Sequence, residues 1–267
     1  MDIQKYIIAR KKIIDKALDK YLPPGSLKPQ IVHRAMRYSV FPGGKRIRPI
    51  FTIAAFEACG GKGGSAIPVA CGIELIHSYT LVHDDMPCMD NDDFRRGKKT
   101  CHKKFGEDIA LLAGDGLLTL AFQVIAESGK AEAIKEISKA AGTCGVIGGQ
   151  VEDILAKGSG PRAQRKHIEY INLNKTAKLF EVAVRSGGIV KGASKREINA
   201  LGNFGRDIGL TFQLMDDLKD RDGYVRSHGA SRAKGKAEIL AKRAKDSLNI
   251  FGKRAGPLLK LADLINS

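Results

Sequence analysis

The 267-residue chain is 43% hydrophobic, has no Trp and is only 6% aromatic, so Ile, Leu, Val and Ala must build the core of one or two domains. Thirty Gly and nine Pro fit many short connections between ordered elements and exclude a disordered low-complexity chain. A formal charge of +16 requires an anionic partner: nucleic acid, a membrane surface or a phosphorylated small molecule.

The segment from Lys219 to the C-terminus holds 12 Lys or Arg against 5 Asp or Glu. It reads as a solvated helical face. No stacking aromatics are spaced among its basic residues, which argues against nucleic acid. Five cysteines, Cys59, Cys71, Cys88, Cys101 and Cys144, form no C-x-x-C pair and are odd in number, against a disulfide framework or zinc site and for a reducing compartment. The N-terminus has no signal-peptide pattern, and no uncharged apolar run approaches the ~18–20 residues of a membrane span. A cytoplasmic protein is expected.

Helical periodicity dominates the chain. Ile3, Ile7, Ile8, Ile14 and Leu18 form an apolar stripe ended by Leu22 to Gly25. Helices are then expected over about 28–40, 47–59, 67–83, 107–128, 131–156, 164–188, 194–220 and 231–250, with a short one after Gly256. No strand alternation, fixed-period repeat or Pro/Ser-rich linker is found. The expectation is one all-α domain over residues 1–267, a bundle of ten or more helices around a deep apolar cavity. The segment IPVACGIELIHSYTLVHDD is apolar on nearly every face and ends in acids, which puts it at the bundle centre with its charges at the mouth.

Two acidic segments carry the chemistry. In FQLMDDLKD, Asp216 and Asp220 share a helix face with Asp217 beside them. Such like charges suit a hard cation such as magnesium, although a solvated acidic turn also fits that string alone. In LVHDDMPCMDNDDFRRGK, Asp84 and Asp85 close an apolar helix, and Pro87 must break it, which can return Asp90 to the side of Asp84. Arg95 and Arg96 follow with forks matched to phosphate oxygens. A third string, GGKRIRP, offers backbone N–H groups and the cations Lys45, Arg46 and Arg48, without Walker spacing. By itself it is equally a helix start, and His77 by itself is equally a core histidine.

Together these strings resemble the trans-isoprenyl diphosphate synthases, the farnesyl and geranylgeranyl diphosphate synthase family. GGKRIRP, DDMPCMDNDDFRRG, GGQVEDI, KTAKLF and FQLMDDLKD stand in the family's order between about Tyr38 and Gly223. The resemblance implies that Asp84, Asp85, Asp90, Asp216, Asp217 and Asp220 hold Mg2+ against an allylic diphosphate, with Arg95 and Lys175 on its phosphates. Lys45, Arg48, His77 and Arg96 would grip isopentenyl diphosphate, and Thr176 and Gln213 would lie by the reacting carbons and the leaving proton. The implied reaction is head-to-tail 1′–4 condensation, by a homodimer. A bulky residue at Tyr79, five before Asp84, is associated with farnesyl-length products; Thr80 adjoins it. The spacing within the first motif also resembles plant-like geranylgeranyl enzymes. After Asp220 the family's further lysine segments do not align. The stretch RDGYVRSHGASRAKGKAEILAKRAKDSL looks shortened, with Arg226, Lys234 and Lys236 as its candidate replacement cations. A related terpene cyclase or head-to-head synthase, and a non-catalytic partner subunit, are the rival readings.

Overall fold

The structure is a computed structural model that describes residues 2–41, 43–157 and 167–266. Among the described residues the secondary structure is helical apart from one hairpin of two-residue strands. The helices in chain order are α1 (Ile3–Tyr21), α2 (Gln30–Val40), α3 (Ile47–Ala58) and α4 (Ile67–Asp84), then α5 (Cys101–Phe105), α6 (Glu107–Ala126), α7 (Ala131–Ala141) and α8 (Val146–Lys157). A π-helical turn (Asn172–Ala177) leads into α9 (Lys178–Lys191), followed by α10 (Lys195–Asp220), α11 (Gly223–His228), α12 (Ala230–Ser247) and α13 (Gly256–Ile265).

The central position expected for α4 is what burial dictates. Val69 to Ile76 are all at most 3% exposed, and α4 packs most extensively on α6, with α3, α1 and α9 around it. Phe51 of α3 joins Phe180 of α9 and Phe204 of α10 edge-on, with centroids 6.0 and 5.8 Å apart, so aromatic quadrupoles help orient the centre. One core cluster runs through most of the bundle, and a smaller one (Leu214, Tyr224, Ala233, Ala237, Leu240) seats α11 and α12 against α10.

Most expected helix ends agree to within a few residues, and the differences have local causes. The helix expected over 131–156 is two helices. A Cβ on Gly145 would lie 1.9 Å from the Ala140 carbonyl oxygen, so the chain turns tightly there instead of continuing. The helix expected over 164–188 falls partly on residues outside the described set, and what is described is interrupted by the π-turn. Helix α10 begins with a capping box in which Ser194 and Glu197 satisfy each other's backbone N–H groups. Ile8 departs from the expected α1 stripe: it is 66% exposed, while Ile14 and Leu18 are fully buried. Helix α11 and the hairpin were not expected.

Helix α6 is long and apolar enough, by length and composition, to cross a membrane. Here it packs along α4, with Leu111 and Leu112 on its exposed side.

Candidate active site

The helix break at Pro87 does what the sequence requires. Helix α4 stops at Asp84, and the Asp90 N–H donates to the Asp84 carbonyl at 2.9 Å, which turns the chain back on itself. Asp84 is half-buried beside Asp90 and Asp85, and burial with these neighbours pushes its carboxyl up to about 6, against opposition from Lys175 and Arg95. Beyond the turn, Phe94–Arg95 pairs antiparallel with Lys98–Lys99. Arg96 and Gly97 both have positive φ, 54° and 74°, which matches the two-residue turn favoured by strand twist. This geometry sends the Arg96 guanidinium back to the Gly43 carbonyl.

The basic string splits. Arg46, with positive φ, turns inward and is 3% exposed; it donates to Asp15 at 2.8 Å, Glu74 at 2.7 Å and the Val40 carbonyl at 2.7 Å. It therefore locks α1, α2 and α4 together, its donors taken by these partners. Arg48, two residues on, lies over the Phe180 ring at 4.4 Å and 3.5 Å from His77 Nε2. Burial and Arg96 pull Arg48 down to about 10, with Glu74 and Asp216 opposing. Burial, then Arg48 and Arg96, hold His77 well below its usual value, so the imidazole is neutral near pH 7. Arg48 Nε has no hydrogen-bond partner among the described residues. Crowded cations, one of them with a buried and unmatched donor atom, are arranged for an anion.

The other side of the site is built by close backbone approach. A Cβ on Gly149 of α8 would lie 2.2 Å from the Lys175 nitrogen, so this glycine lets α8 meet the π-turn. That contact delivers Lys175 Nζ to Asp153 at 2.6 Å. A π-turn is a local strain often found at functional sites, and here it also presents Thr176. The Thr176 hydroxyl donates to Gln213 Oε1 at 2.7 Å, and Gln213 Nε2 donates to Asp217 at 2.8 Å, which fixes the amide orientation.

The expected site residues come together with several changes of partner. Arg95 binds Asp85 through Nε at 2.6 Å, so an expected phosphate ligand neutralises an expected metal ligand. Asp217 accepts the Tyr224 N–H at 2.8 Å as well as Gln213, and this engagement gives it a structural task at the start of α11. Asp216 is partly open, raised mainly by burial with Asp220 adding and Lys219 and Lys45 opposing. Asp220 and Lys45 are exposed. Tyr79 is 5% exposed, its ring lies edge-on to His83 at 5.7 Å, and its hydroxyl has no partner among the described residues. Thr80 is partly open and donates to the His77 carbonyl. Lys236, a candidate replacement cation, is held by Glu169 at 2.6 Å and lies over the Tyr224 ring; Arg226 reaches only Asp222, at 3.7 Å. Sequence reasoning missed Asp153 and Lys157, whose opposite charges four apart on one helix were the available signal.

The acids suit a hard divalent cation by chemistry. They are carboxylates only, and Asp84, raised first by burial and then by Asp90 and Asp85, is a group whose charged form such an ion would stabilise. Among the described residues no three acids already converge to hold one, and Asp85 and Asp90 are paired with Arg95 and Lys157.

Comparison with known proteins agrees with this geometry. A family model described as Polyprenyl synthetase matches residues 29–232. The chain is 42% identical to the heterodimeric geranylgeranyl pyrophosphate synthase large subunit 1 of Arabidopsis thaliana, over 99% of this chain and 79% of that one. It is 40% identical to a geranylgeranyl pyrophosphate synthase of Catharanthus roseus, over 99% and 81%. Among solved structures, an FPP/GFPP synthase from Zymomonas mobilis superposes with a TM-score of 0.92 at 34% identity, covering 99% of both chains. A geranyltranstransferase from Thermotoga maritima gives 0.86 at 32%, over 97% and 98%. The Arabidopsis alignment runs over 294 positions, more than the 267 residues here, so the relative carries stretches without a counterpart in this chain.

Proposed function

The chain belongs to the polyprenyl synthetase family and is a prenyltransferase that makes isoprenyl diphosphates, and from that premise we propose a magnesium-dependent enzyme joining isopentenyl diphosphate head-to-tail to dimethylallyl and geranyl diphosphate, with farnesyl diphosphate as product. The carrying observation is the pairing of a cation cluster, Arg48 over the Phe180 ring beside neutral His77 with the more exposed Arg96 close by, with two carboxylate motifs on α4 and α10.

In this reading Asp84, Asp85, Asp90, Asp216 and Asp220 hold the cation, and Asp217 is withdrawn from that set because its oxygens are taken by Tyr224 and Gln213. Bound magnesium supplies charge to the departing diphosphate of the allylic substrate. Lys175 and Arg95 add donors on that side, and both must release a carboxylate to do so. Arg48, Arg96, Lys45 and His77 hold the second diphosphate, which places its double bond toward the interior. Thr176 and Gln213 present a fixed dipole array toward the reacting carbons. The allylic C–O bond breaks with its electron pair leaving on the diphosphate, and the isopentenyl double bond attacks the allylic carbocation so formed. The departed diphosphate takes the proton lost, and apolar helix faces exclude water from the carbocation.

Product length rests on Tyr79, a buried ring little more than one turn below Asp84. A geranylgeranyl product is the second reading, favoured by the names of the plant relatives. Leu111 and Leu112, exposed on the apolar helix α6, support pairing with a second copy, which light scattering tests. The free cysteines support a reducing compartment, the cytoplasm in this reading, which fractionation tests.

The deciding assay incubates the protein with magnesium, labelled isopentenyl diphosphate and, separately, dimethylallyl, geranyl and farnesyl diphosphate. A fifteen-carbon product lost with EDTA supports the proposal. A twenty-carbon product keeps the enzyme and removes Tyr79 as the floor. Absence of condensation by folded protein favours a non-catalytic partner subunit.

A further inference from the structure

Lys157 ends α8, and its ammonium lies 2.5 Å from Asp90 Oδ1 and 3.6 Å from Asp153 Oδ2. Asp153 is held in turn by Lys175 at 2.6 Å. Alternating charges thus run Asp90, Lys157, Asp153, Lys175, and tie the first acidic motif to α8 and the π-turn. The Asp90 backbone is already fixed against the Asp84 carbonyl. The two acids therefore sit on one turn, with the Asp90 carboxylate taken by Lys157.

We propose that Lys157 is a built-in competitor for the divalent cation, holding the Asp90 carboxylate in the resting enzyme until the ion displaces it. This rests on the metal reading of the acidic motifs. An ammonium is a compact point charge on a flexible stem, so it can neutralise a carboxylate without fixing its geometry and can leave without disturbing the fold. Lys157 is 54% exposed and Asp90 27%, so water screens the pair and the competition is modest. An exposed pair of this kind weakens ion binding by roughly two- to fivefold. The consequence is a cation requirement set partly by a residue outside both aspartate motifs.

The test is Mn2+ binding to the full chain without substrate, read as free Mn2+ by electron paramagnetic resonance. Lys157→Gln is expected to bind about two- to fivefold more tightly than the parent, whereas Lys157→Arg keeps the charge and stays near the parent value. In an Asp90→Asn background the Lys157→Gln gain disappears, because the competed group is gone. Unchanged or weaker binding by Lys157→Gln, with binding by the parent intact, overturns the role of Lys157 alone. Failure of both the parent and Lys157→Gln to bind Mn2+ overturns the metal reading and this inference together.

Discussion

Asp84→Asn separates the cost of the acidic motif from its use. In the fold the Asp84 carboxyl is pushed up to about 6, from an ordinary 3.8, first by burial and then by Asp90 and Asp85. A folded-state value raised above the unfolded one means that the fold binds the proton more tightly. Stability therefore rises as pH falls through the window from about 6 to about 4, and above that window the charged form destabilises the fold. A shift of about two units corresponds to about 3 kcal/mol at most, and partial solvent access reduces this to ~1–2 kcal/mol. The assay is urea unfolding with EDTA at about pH 8 and about pH 4. The variant is expected to be more stable by ~1–2 kcal/mol at the higher pH, with the gap nearly closed at the lower. Added magnesium should stabilise the parent more than the variant, since only an ion bound by the fold shifts unfolding. Equal or lower stability of the variant at pH 8 would refute the reasoning, as would a gap that persists at pH 4.

Arg48→Met removes the guanidinium that lies over Phe180 and its charge while keeping an unbranched apolar side chain, so KM for isopentenyl diphosphate should rise about 10–100-fold in steady-state assays with the allylic KM little changed. Tyr79→Phe deletes a buried hydroxyl without a partner and keeps the ring. It should leave product length unchanged and stabilise by about 1 kcal/mol, a rise of ~2–4 °C in Tm by calorimetry. Tyr79→Ala should lengthen the product by chromatography and destabilise by ~3 kcal/mol as a cavity mutant. Gly149→Ala drives a Cβ into the Lys175 backbone and should separate α8 from the π-turn, with loss of activity; Gly235→Ala, in open space on α12, should be neutral or slightly stabilising in the same melts.

The helical class and the two motifs were legible because both are local. Apolar spacing marks α4 as central whatever surrounds it, and Pro87 breaks its helix whatever follows. The hairpin was hidden because two-residue strands carry no alternation to read; only Arg96-Gly97 marks its turn. The split of the helix expected over 131–156 was visible in principle at Gly142 and Gly145, two weak helix formers three apart.

What the sequence by itself determined is the inventory: an all-helical chain with acids at two helix ends, arginines beside one of them, and cations enough for two diphosphates. What only the tertiary structure decided is how those charges are shared. Arg46 and Arg48 are two residues apart, yet one locks three helices and the other faces His77. Asp216 stays partly open while Asp217 caps the start of α11, and Arg95 and Lys157 spend their charge on the very acids expected to bind metal. Partner choice depends on which side chains meet across 10 to 67 positions of chain, and Coulomb energy changes over a few ångströms of separation. Residue type sets what a group can do, and its neighbours in space set which of those things it does.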